Sequence, residues 1–251
     1  MELIRLSHVS RKYSLKDNKQ VVALDNVSLS FDKGLIAIIG KSGSGKSTLI
    51  NMISLLDNPT NGVVYFKNEN ISKWSNKRKN DYRNKDIGIV FQHYHLLETH
   101  TALFNIMLPA LIGGRDLKEV TKSAKDLAKS LNFNESLLLH RCSDLSGGEK
   151  ERVAILRAII NNPKVVIADE PTGALDSKNS IDVMTLLKEI SKDRLVIMVS
   201  HNLSLVKKYA DEIITIKDGK IFGYKKSPLN EGNKCADRRI IIHDSTRLSG
   251  D

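Results

Sequence analysis

The stretch Leu35-Ile36-Ala37-Ile38-Ile39-Gly40-Lys41-Ser42-Gly43-Ser44-Gly45-Lys46-Ser47-Thr48 decides the fold of this chain. Leu35 to Ile39 is a continuous apolar run, which suits a strand covered on both faces better than one alternating between core and water. Beyond the glycines, Leu49, Ile50, Ile53 and Leu56 recur at helical spacing from Lys46 to Leu56, and Asp57-Asn58-Pro59 stops the pattern. Strand, loop and helix follow one another directly.

The loop has the form G-x-x-x-x-G-K-[ST]. Gly40, Gly43 and Gly45 let backbone N–H groups close around a phosphate without Cβ clashes, with Lys41, Ser42 and Ser44 completing the turn. Lys46 offers a point charge to β- and γ-phosphates and Ser47 a hydroxyl to Mg²⁺. Thr48 lies in the first helical turn, where the helix dipole favours anions. A nucleoside triphosphate with Mg²⁺ is the expected ligand.

A second buried-type run, Val165 to Ala168, ends in Asp169-Glu170. Carboxylates at the end of such a strand sit where open α/β sheets keep their ligands. Asp169 suits Mg²⁺, and Glu170 suits orienting and deprotonating an attacking water, because phosphoryl transfer is mainly positioning plus charge neutralisation. Leu145-Ser146-Gly147-Gly148-Glu149 then forms a polar turn opening an amphipathic helix with Arg152, Val153, Ile155, Leu156 and Ile159.

With the turn at 145–149 lying after Gln92 and before the apolar run that ends in Asp169-Glu170, the segments resemble the ATP-binding cassette (ABC) family over about residues 1–226. The resemblance implies an α/β fold of the P-loop NTPase type, with a parallel-sheet core, an antiparallel β subdomain and an inserted α-helical subdomain at about residues 93–160. It implies ATP as the nucleotide, hydrolysed with Lys46, Gln92, Glu170 and His201 as the catalytic set. Tyr13 would stack on adenine, Gln92 would join Ser47 and Asp169 at the metal, and His201 would reach the γ-phosphate. Ala174-Leu175-Asp176 matches the family's D-loop. Ser146, Gly147, Gly148 and Glu149 of one copy would cover the γ-phosphate on Gly40 to Thr48 of another, giving a head-to-tail homodimer around two ATP. Lys41 replaces a common proline, Glu149 a common glutamine, and Cys142 another proline; none of these removes a catalytic group.

Val90 to Leu97, then Asn105, Leu108, Pro109 and Thr172 to Ser177, resemble the branch of macrolide exporters, lipoprotein-release ATPases and antimicrobial-peptide resistance transporters. That branch implies a transmembrane permease, separate or fused, driven from the cytoplasmic face of the membrane by a peripheral ATPase. The alternative is a cell-division-type regulatory ATPase that signals across the membrane without transport. DNA-repair and translation-factor cassettes would carry an inserted coiled coil or a second cassette, and the sequence shows neither.

The remaining pattern is coarser. Glu2 to Ser10 and Val27 to Phe31 alternate as half-buried strands; Val63 to Phe66, Ile87 to Phe91 and Leu195 to Val199 are further strands; about Phe104 to Ile160 is mainly helical. Ile181, Val183, Met184, Leu186, Leu187 and Ile190 mark the apolar face of another helix. Asp218-Gly219 signals a hairpin, and residues 227–251 read as a tail or linker.

The 251 residues carry 39 Lys and Arg against 29 Asp and Glu, a formal charge of +10. The densest basic cluster, Lys73, Lys77, Arg78, Lys79, Arg83 and Lys85, belongs to no nucleic-acid module and reads as a solvated helical face, so no nucleic-acid partner is expected. No apolar run approaches the roughly 20 residues of a spanning helix, and the N-terminus lacks a signal-type apolar region, so a cytoplasmic location is expected. Cys142 and Cys235 read as free thiols, and His93, His95 and His100 lack metal-ligand spacing.

Overall fold

Two sheets organise the chain. In this computed structural model, residues 2–14 and 19–226 are described, so the tail at 227–251 and Cys235 lie outside the described residues. Strands β1 (Ile4–Ser14), β2 (Gln20–Phe31), β4 (Asn61–Phe66) and β5 (Glu69–Asn70) form an antiparallel sheet of order β2-β1-β4-β5. Strands β3 (Gly34–Ile39), β6 (Ile87–Val90), β7 (Val165–Asp169), β8 (Leu195–Val199), β9 (Glu212–Lys217) and β10 (Lys220–Lys226) form the second sheet, of order β10-β9-β3-β8-β7-β6. Its first five pair in parallel; β10 returns antiparallel to β9 through Asp218-Gly219, as the hairpin signal requires.

Alternation along the buried strands assigns the two faces. Ile36, Ile38, Val165, Ile167, Ile197 and Val199 pack with Leu49, Met52 and Ile53 of α1 (Lys46–Ile53) and with the antiparallel sheet. The intervening Leu35, Ala37, Val166, Ala168, Val196 and Met198 pack on the other side with α5 (Gly147–Ile159) and α6 (Ser177–Ile190). Both faces are covered, which explains the continuous apolar runs. Helices α3 (Ala102–Ile112) and α4 (Leu117–Ser130) join the outer face of α5 around Ile106, Val120, Ala124 and Leu156 as the helical lobe. The short α2 (Asn76–Asp81) carries part of the basic cluster and buries none of its residues. Arg78 stacks over Trp74, and Lys85 pairs with Asp81. Helix α7 (Leu203–Tyr209) follows β8. Among the described residues no helix is long and apolar enough to cross a membrane.

Two boundaries and one apolar face depart from the sequence pattern. Helix α1 stops at Ile53 and not Leu56: Ser54 Oγ bonds back to the Ile50 carbonyl at 2.9 Å, Leu55 turns left-handed (φ 55°), and Leu56 is exposed. Strand β1 runs on past Ser10, pairing with β2 as far as Ser14; register shifts after Leu6, Val9 and Arg11 break the period-two alternation that marks a strand in sequence. On α6, Ile181 is 42% exposed and leaves the apolar face assigned to it. A further register shift lies at Phe222 in β10.

Candidate nucleotide site

The glycine-rich loop joins β3 to α1 at the carboxyl edge of the parallel sheet. Gly45 has φ 106°, and a Cβ there would stand 2.3 Å from the Ala23 carbonyl oxygen, so the chain passes only with glycine. Lys46 is 6% exposed and folds its ammonium back onto the loop, donating to the carbonyls of Gly40 and Lys41 at 2.8 Å each. Unlike α3, α4, α5, α6 and α7, helix α1 has no side-chain cap, and its first turn holds no acidic residue. Its free N–H ends and Lys46 together fit a phosphate chain.

Asp169 ends β7 with Glu170 next to it, and His201 follows β8. The Glu170 N–H bonds the Val199 carbonyl at 3.0 Å, and Gly173 N–H closes a turn on the Glu170 carbonyl at 3.0 Å, holding Glu170 at a left-handed φ of 52°. This fixed backbone aims its carboxylate at His201, Oε1 lying 2.6 Å from Nε2. Burial raises the Asp169 carboxyl above its ordinary value; the charge of Glu170 adds to this, while Lys46 and His201 oppose it. All four side chains therefore share one electrostatic neighbourhood. A divalent cation between the exposed Ser47 hydroxyl and Asp169 would relieve the crowding of the two carboxylates, so the donors present fit Mg²⁺.

Tyr13, near the end of β1, donates its hydroxyl to Asp57 Oδ2 at 2.9 Å. Arg11 lies over its ring at 4.6 Å and pairs with Asp57 at 2.9 Å. Arg11, which no motif marked, and Asp57, read only as part of the helix stop, thus set the ring's orientation. Gln92 is exposed just beyond β6.

Ser146 to Glu149 stands apart from this group, at the head of α5. Ser146 and Glu149 form a reciprocal capping box: Glu149 Oε2 accepts from Ser146 N at 2.8 Å and from Ser146 Oγ at 2.7 Å. The glutamate that replaces the family's common glutamine is engaged with its own turn. Asp176 caps α6, and its hydrogen bonds from Asn179 hold its carboxyl below the ordinary range.

Residues 24–173 match the family described as ABC transporter. The chain is 42% identical to the lipoprotein-releasing system ATP-binding protein LolD of Wigglesworthia glossinidia brevipalpis, over 90% of this chain and 98% of that protein. It is 40% identical to the macrolide export ATP-binding/permease protein MacB of Hyphomonas neptunium, over 93% of this chain but 35% of that longer protein. Among solved structures, a bacterial ABC transporter cassette in dimeric form superposes with a TM-score of 0.81 at 37% identity, covering 89% of this chain and 98% of the other. A dimeric post-hydrolysis state of an ATP-binding cassette, bound to ADP and Pi, gives a TM-score of 0.80 at 36% identity, covering 89% of this chain and 98% of the other.

Proposed function

The chain belongs to the ABC transporter family, and from that premise we propose how its residues hydrolyse ATP and what the hydrolysis drives. It is an ABC cassette ATPase that uses ATP with Mg²⁺. In the reading proposed here, Lys46 leaves its two loop carbonyls for the β- and γ-phosphates, and Tyr13 takes the adenine. Bound Mg²⁺ would supply charge neutralisation, held by Ser47, Asp169 and Gln92. Glu170 accepts the proton of the attacking water, and His201, already 2.6 Å from that carboxylate, steers Glu170 and reaches the γ-phosphate.

The observation that carries the assembly is the placement of the two half-sites. Lys46 opens a helix on one face of the six-stranded sheet, and Ser146 to Glu149 opens a helix on the other. Ser146 to Glu149 would therefore serve the triphosphate of a second copy, two chains closing head to tail around two ATP. The closing motion would drive a transmembrane permease of the macrolide-exporter or lipoprotein-release kind, placing the cassette peripherally at the cytoplasmic face. Mixing Lys46→Ala chains with Gly147→Asp chains tests this directly. Each alone should be inactive, whereas the mixture should regain ATP turnover, since one of its two sites keeps both an intact loop and an intact Ser146 turn. A mixture as inactive as its components would overturn the shared site.

A further inference from the structure

Arg157 lies in the last turn of α5, and burial lowers its guanidinium from the ordinary value. Its Nη1 donates to the His95 carbonyl at 2.6 Å and its Nη2 to the Tyr94 carbonyl. Those two residues are consecutive and both left-handed, φ 58° and 47°, a conformation side-chain-bearing residues seldom adopt even once. The kink follows Gln92 almost at once, and the turn holding Gln92 is closed by Tyr94 N–H on the Phe91 carbonyl at 2.9 Å. The side chain of the same Tyr94 reaches the head of α5: its half-buried ring packs against the core between sheet and helix, and its hydroxyl would be 3.5 Å from a Cβ on Gly147. One helix thus holds the segment by its last turn through Arg157, and the Tyr94 hydroxyl lies beside its first turn at Gly147.

We propose that Arg157 is a positioning residue for Gln92: its two hydrogen bonds hold the Tyr94–His95 kink, so that Gln92 and the Ser146–Glu149 turn are carried as one rigid body. This rests on the reading that both serve the ATP site. A planar guanidinium can bridge two adjacent carbonyls, and a lysine ammonium, with the same charge, lacks that fork. Tyr94→Ala removes the ring that packs beside the head of α5.

The test compares the full chain with its Arg157→Lys and Tyr94→Ala variants in ATP turnover against free Mg²⁺, equilibrium ATP binding and thermal melting. A misplaced metal ligand should lower kcat by about 10- to 100-fold. The free Mg²⁺ needed for half-maximal rate should rise at least about threefold, while ATP affinity and cooperative melting stay close to those of the parent. The proposal is overturned if both variants turn over ATP at the parental rate and Mg²⁺ requirement, or if kcat falls only in step with ATP affinity and melting temperature. A parent chain without turnover would instead defeat the hydrolytic reading, and the positioning role with it.

Discussion

Glu151 sits on α5 with 1% of its surface exposed, and its Oε1 finds no hydrogen-bond partner among the described residues. Burial pushes its carboxyl from 4.5 up to about 8, so near neutral pH it is held as the acid. The folded value lies above the unfolded one, so the associated stability is complete below about pH 4.5 and is lost progressively as pH rises towards 8, a span worth roughly 3–5 kcal/mol. Glu151→Gln should therefore flatten the fall in Tm between about pH 5.5 and 8.5, measured by calorimetry; an unchanged slope would show that the loss arises elsewhere. At the nucleotide site, Glu170→Gln preserves size and the left-handed backbone while removing the base. Turnover should drop by about 10²- to 10⁴-fold with ATP binding retained, and a purified variant hydrolysing at the parental rate would exclude that role. Residues of the first kind were beyond the sequence reading. Glu151 and Arg157 look like ordinary helical charges until the fold buries the first and half-buries the second, whereas Lys46 and Asp169 are marked by the strands they adjoin.

Among the elements, α5 is placed by a single hydrogen atom. Gly88 in β6 faces the Ala158 carbonyl so closely that a Cβ would stand 2.0 Å from that oxygen. Gly88→Ala must push α5 off the sheet, destabilising the chain by roughly 1–3 kcal/mol. Because α5 carries both Arg157 and Ser146, kcat should fall as well; urea denaturation alongside ATP turnover checks both effects. The buried strands β3, β7 and β8 were legible because both faces are covered and their apolar runs are uninterrupted. Strand β1 was only half legible: its bulges move successive residues to unexpected faces, so the alternation read from Glu2 to Ser10 stops short of Arg11 and Tyr13, which are paired strand. Ile181 misled in the opposite sense, since helical spacing cannot say which margin of an apolar stripe the neighbouring sheet reaches.

For the molecule as a whole, the question is how copies meet. A Cβ on Gly147 would meet only the Tyr94 hydroxyl at 3.5 Å and Leu175 Cδ2 at 3.7 Å, both ordinary contacts. Gly147→Asp should therefore fold and bind ATP as a monomer while losing hydrolysis, its charge facing a second copy's γ-phosphate; failure to bind nucleotide would place the defect within the chain. Specific activity of the unmodified chain should rise with protein concentration and then level off, as expected when two chains build each site; a rate per chain independent of dilution would exclude this. The sequence marked both segments proposed as half-sites but not that they open helices on opposite faces of the sheet, because that relation depends on which face each crossover takes.

The two margins of the six-stranded sheet bear on the same point. At one margin β6 has only four residues, and at the other β10 carries the Phe222 bulge and ends in the exposed Lys225 and Lys226. Short, bulged and lysine-bearing edges repel an incoming strand. With edge-to-edge pairing of this sheet disfavoured, the same margins that discourage open-ended growth are compatible with a pair that nucleotide can join and release.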